Sequence, residues 1–115
     1  MGYYSLLEFD IEDAIVDMKK KEEIERRFSD ENDGDIYGFR GVELSTDENG
    51  KLIYIELEEY FAKFYDDELF ADMLKDALIA GRVDLYFTGE DGNKSGIRIE
   101  PGKTTPLCCV WVPCE

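Results

Sequence analysis

Apolar residues recur along this chain with two different periods, and the switches between them outline eight elements. Residues 3–9 (Tyr-Tyr-Ser-Leu-Leu-Glu-Phe) read as a strand. Asp10 then suits a helix N-cap, with Glu12 and Asp13 in the first turn, where the helix dipole favours acids. Ile11, Ala14, Ile15 and Met18 stand at i, i+3, i+4 and i+7, the spacing of one apolar helix face. Lys19, Lys20, Lys21, Arg26 and Arg27 follow toward the end that prefers cations, and the helix is expected to stop near Phe28. Ser29 to Gly34 is polar and turn-forming.

Residues 35–45 and 51–57 read as two strands around Asp47-Glu48-Asn49-Gly50, since Asn-Gly between β-rich runs signals a hairpin. Ile53, Ile55 and Leu57 are expected on one face of the second strand. Glu58 to Tyr65 reads as a turn or a short helix. A second helix fits 66–80, with Leu69, Phe70, Met73, Leu74, Ala77 and Leu78 as its apolar stripe and Gly81 as the residue that ends it. Val83, Leu85 and Phe87 then alternate with Asp84, Tyr86 and Thr88, as in a half-buried strand. Glu90 to Asn93 turns the chain into a strand around Ile97 and Ile99. After Pro101-Gly102, residues 107–112 make a last strand.

The order β-α-β-β-α-β-β-β predicts an α+β fold, an antiparallel or mixed sheet with two helices packed on one face. Its first six elements suit a split βαβ, ferredoxin-like unit. The 115 residues make one domain, 1–115, because compact domains usually run to about 100–150 residues.

Charge alters this bland picture most. Twenty-eight Asp and Glu face thirteen Lys and Arg, a formal net of −15, and there is no histidine. Ser-His and Cys-His dyads and His-ligated metals are thereby excluded. Direct contact with nucleic acid or an anionic membrane is disfavoured, because both need a clustered basic surface. No apolar run approaches the ~20 residues that span a bilayer. The opening Met-Gly-Tyr-Tyr-Ser-Leu-Leu-Glu has no basic n-region, so no secretory signal is read there. Cys108, Cys109 and Cys114 are odd in number and crowded together, which argues against a disulfide framework. A cytoplasmic protein with reduced thiols is expected.

Three constellations bear on chemistry. With Gly50 at the sixth position of a calcium loop, Ser45 falls first, Asp47 third, Asn49 fifth and Glu56 twelfth, close to the EF-hand pattern. Ser45 stands where Asp belongs, and the competing reading is an acidic hairpin tip. The other acidic loop, 29–40, puts Arg40 where the bidentate Glu belongs. Three cysteines without histidine cannot complete a four-ligand zinc site in one chain, and they read as ordinary strand cysteines. Among so many acids no pair is singled out for catalysis, so the chain is read as non-enzymatic and without a cofactor.

The acidity itself carries the most physical content. At about one charge per 1.7 Å of duplex, fifteen charges match roughly 25 Å of DNA, while a domain of this size has a radius of gyration of about 13 Å. A protein built to grip phosphates would meet a similar field. Mere solubility is the competing explanation. Glu12, Asp13, Asp17 and Glu23, all placed on the first helix, are the expected partner contacts.

The Met1-Gly2-Tyr3-Tyr4 opening, the Glu59…Lys63-Phe64-Tyr65 stretch and Gly81…Val83-Asp84-Leu85-Tyr86-Phe87-Thr88-Gly89-Glu90-Asp91 resemble a family of small uncharacterised proteins of phages and their bacterial hosts. The likeness covers about half the chain, and residues 29–50 depart from it. It implies no activity and no site residues. It implies a phage or prophage setting, in which small acidic proteins often inhibit host defence nucleases. The expected function is therefore an acidic binding protein, an anti-CRISPR-like nucleic-acid mimic that engages a basic nuclease or nucleic-acid-binding protein as a 1:1 complex or a homodimer. The alternatives are an immunity protein against a nuclease toxin and a calcium- or ligand-binding domain using Ser45–Glu56.

Overall fold

The computed structural model describes residues 4–29 and 38–107. Strands are β1 Ser5–Val16, β2 Glu43–Thr46, β3 Leu52–Glu56, β4 Phe61–Ala62, β5 Leu78–Gly89, β6 Lys94–Glu100 and β7 Lys103–Leu107. Helices are α1 Met18–Arg27, after β1, and α2 Asp67–Ala77, before β5. A five-stranded sheet has the order β4-β1-β5-β6-β7, every neighbour antiparallel, and β2-β3 is a separate hairpin. The class is α+β. The ferredoxin-like arrangement is not formed, because the β2-β3 hairpin stands apart from the sheet that holds β1.

The largest departure from expectation lies at residues 10–17. Residues 10–16 continue β1 and Asp17 takes the N-cap position of the helix that follows, so Asp10 is no cap and Glu12 and Asp13 occupy no first turn. Leu7, Phe9 and Ile11 alternate inward with period two. The register against β5 then shifts between Glu12 and Ile15, and Ala14 and Val16 resume the buried face. The step of three from Ile11 to Ala14 is therefore a bulge that imitates helical spacing. Asp13 takes it up with φ +49°, a conformation Asp tolerates better than most residues. Across the bulge lies Gly81, inside β5 rather than past a helix end, with φ +80°. A Cβ there would stand 2.2 Å from the Asp13 carbonyl oxygen.

The helices cover one sheet face. Leu7, Val83, Leu85 and Ile99 join Ile24 and Phe28 at α1 and Phe70 and Leu74 of α2 in a single apolar cluster. Its centre is aromatic: Phe39 stacks on Phe70 at 4.5 Å, and Phe28 meets Phe70 edge-on at 5.6 Å. Helix α2 ends at Ala77 and runs straight into β5, three residues before the expected stop. The 58–65 segment yields the two-residue β4, whose Phe61 stacks on Tyr4 at 5.5 Å. The last described strand is β7, and the strand expected at 107–112 lies, but for Leu107, outside the described residues, as do the three cysteines.

Candidate protein-binding surface

The sheet face away from the helices is built from the even-numbered residues 6–12 of β1 and 82–88 of β5. Glu8, Asp10 and Glu12 are all exposed and sit opposite Tyr86, Asp84 and Arg82. At about 3.4 Å of rise per residue, successive carboxylates are ~6.8 Å apart along β1. Next to this row, Asp84 has no exposed surface although it belongs to the solvent side of the sheet. Arg98, its partner across β6, covers it with Nε 3.1 Å from Oδ1 and Nη2 3.3 Å from Oδ2. The Tyr86 hydroxyl donates to Oδ2 at 3.1 Å, and Arg82 Nε lies 3.5 Å from the same oxygen.

The Arg82 guanidinium also donates to Glu12. Two arginines and two carboxylates thus balance locally. Glu8 and Asp10 make no ion pair or side-chain hydrogen bond among the described residues. Loss of solvent raises the Tyr86 hydroxyl above its ordinary value, helped by the Asp84 charge, while the hydrogen bond to Asp84 raises Arg98.

The four expected contact residues fall in four different settings. Glu12 is on β1 and engaged by Arg82. Asp13, at the bulge, has an 82% exposed side chain with Lys51 Nζ at 3.7 Å. Asp17 occupies the N-cap position of α1, makes no side-chain cap, and donates its N–H to Ala77 O at 2.8 Å. Only Glu23 is on the helix, one turn from Lys19, Lys20, Arg26 and Arg27. Five of the thirteen basic residues of the chain stand on α1. Cations are thus concentrated there, and the β1 row, not the helix, shows uncompensated acid. Strict alternation from Leu7 to Glu12 was its signature in the sequence.

A cleft of about 440 Å³ opens beside this row, between β1 and the β2-β3 hairpin, lined among others by Glu8, Phe9, Ile11, Ile53, Tyr54 and Tyr60. Ile53 does not share the buried face of Ile55 and Leu57. The hairpin register slips there, pairing Ser45 with Tyr54 and Thr46 with Leu52. Ile53 is the extra residue, 63% exposed. Tyr54, 51% exposed, forms a 2.9 Å hydroxyl pair with Tyr60, and that hydrogen bond raises its pKa above the ordinary tyrosine value.

The Ser45–Glu56 segment is a hairpin. Asp47 Oδ1 accepts the N–H groups of Asn49 at 2.8 Å and Lys51 at 2.9 Å, closing the turn. Glu56 lies up the strand, opposite Glu43. No group of three or more acidic or cysteine side chains placed to hold a metal occurs among the described residues. No described helix is long and apolar enough to cross a membrane. No family model, curated protein or solved structure matches the chain.

Proposed function

We propose that this chain is a non-enzymatic binding protein whose β1 carboxylates dock on a basic, nucleic-acid-handling partner and inhibit it by occupying the surface that grips phosphates. The setting is the cytoplasm of a bacterial host, and the partner is a defence or toxin nuclease. One observation carries the reading: Glu8 and Asp10 stand in a regular exposed row with no ion pair among the described residues, while the neighbouring Arg82 and Arg98 are committed to Asp84 and Glu12. A row of fixed charges on a rigid sheet costs little reorganisation on binding, unlike charges on a loop. The net charge of −15 adds long-range attraction for a basic protein.

The test is capture from host lysate at low and high salt, followed by competition with duplex nucleic acid. The captured protein should bind nucleic acid by itself, be lost steeply as salt rises, and be displaced by the duplex. A partner indifferent to both salt and duplex overturns the proposal.

A further inference from the structure

Strand β1 is paired with β5 along its length except at the Asp13–Ala14 bulge, and among the described residues its other edge is paired only at the two ends. On the other side β4 reaches Ser5 and Leu6, and Leu7 donates its N–H to Tyr60 O at 2.7 Å. Pairing resumes at Ile15, opposite Lys51, with Val16 N–H donating to Gly50 O at 2.9 Å. Alternate residues of an antiparallel strand turn their backbone groups to the same edge. Phe9 and Ile11 therefore present N–H and C=O groups on the side of Leu7, where no described strand meets them. The stretch between Leu7 and Ile15 is seven residues, or ~24 Å of strand. The cleft described above lies along this gap, and the bulge at Ile53 holds an apolar side chain beside it.

We infer that this gap is a strand-addition site for an extended segment of the partner in which Lys or Arg alternates with apolar residues. The inference deepens the docking function proposed above and rests on it. The chemistry of the segment follows from register. A residue paired opposite Phe9 or Ile11 shares their sheet face, the apolar side, toward Ile53 and Tyr54. Its neighbours fall on the face of Glu8, Asp10 and Glu12, where a cation is attracted and a carboxylate repelled. Main-chain hydrogen bonds would hold the segment, and the two faces would select its sequence.

The probe is a synthetic ten-residue peptide alternating Lys and Val, added to the full chain. Two controls accompany it: the same residues in two blocks, and the alternating peptide with every second amide N-methylated on one edge. Amide exchange is read at Phe9 and Ile11, and affinity by calorimetry. The alternating peptide should protect both amides. Blocking or methylation should weaken binding about tenfold or more, since it breaks the face match or removes backbone hydrogen bonds. Ile53→Lys, at an exposed position, should abolish peptide binding and leave the fold intact.

Equal binding of all three peptides overturns the inference, as does unchanged exchange at Phe9 and Ile11. Protection of these amides in the free protein also overturns it: if independent of concentration, the gap is filled by the chain itself, and if concentration-dependent, by a second copy. Failure here, with salt-sensitive capture of a basic protein intact, removes only the strand-addition site. Loss of that capture removes the docking function.

Discussion

Arg98 forks across Asp84 on the outward side of the sheet, 3.1 Å and 3.3 Å from its two oxygens, and shields that carboxylate from water entirely. Charges are seldom buried unless paired and hydrogen-bonded, and Asp84 meets both conditions through Arg98, Arg82 and Tyr86. The arrangement ties β5 to β6 and fixes the two arginines away from Glu8 and Asp10.

Asp84→Ala should lower unfolding free energy by about 2–3 kcal/mol, somewhat less than the ~3–5 kcal/mol of a fully buried pair, because both arginine side chains keep part of their surface in water. Urea denaturation measures it. Arg82→Ala, whose loss leaves Arg98 on Asp84, should cost under about 1 kcal/mol. Equal effects would show that Arg98 is not the principal partner.

Gly81 is required by the neighbouring bulge. Gly81→Ala forces a Cβ to within 2.2 Å of the Asp13 carbonyl oxygen at positive φ, and should cost about 2–4 kcal/mol. Gly92 also has positive φ, but a Cβ there meets nothing within 4 Å. Gly92→Ala should therefore cost only about 1 kcal/mol. Thermal midpoints of the two variants check the contrast.

Asp67, at the start of α2, is raised above its ordinary value of 3.8, chiefly by burial. A carboxyl raised in the fold binds its proton more tightly there than in the unfolded chain. Its ionisation thus opposes folding at pH values above the folded pKa, and the penalty fades as pH falls toward 3.8. Asp67→Asn should raise the urea midpoint at neutral pH, and the gain should shrink as pH falls toward 3.8. A gain independent of pH would contradict the burial assignment.

The sequence displayed some of this architecture openly. The hairpin tip at Asp47–Gly50 was legible because its turn chemistry is local, and the core of α2 because its apolar stripe is unbroken. The first helix was misplaced because a bulge at Asp13 converts period two into a step of three, and only the partner strand with Gly81 distinguishes the two. The two residues of β4 are too few to carry a period. At the candidate site, surplus acid was evident from composition. Its position was not, since the pairing of Glu12 with Arg82 joins residues seventy positions apart. The pairing gap along β1 among the described residues is likewise a property of neighbours, set by where β4 ends and where the separate β2-β3 hairpin touches β1 at Ile15.

Two double charge reversals test the docking claim most directly. Glu8→Lys with Asp10→Lys alters the β1 row, and Glu68→Lys with Asp76→Lys alters exposed acids on α2. Both change the net charge by the same amount. Partner affinity is measured for each at physiological salt, with circular dichroism to verify folding. The β1 pair should reduce affinity at least about a hundredfold and the α2 pair less than about tenfold. Equal losses would show that total charge, rather than the β1 row, governs binding.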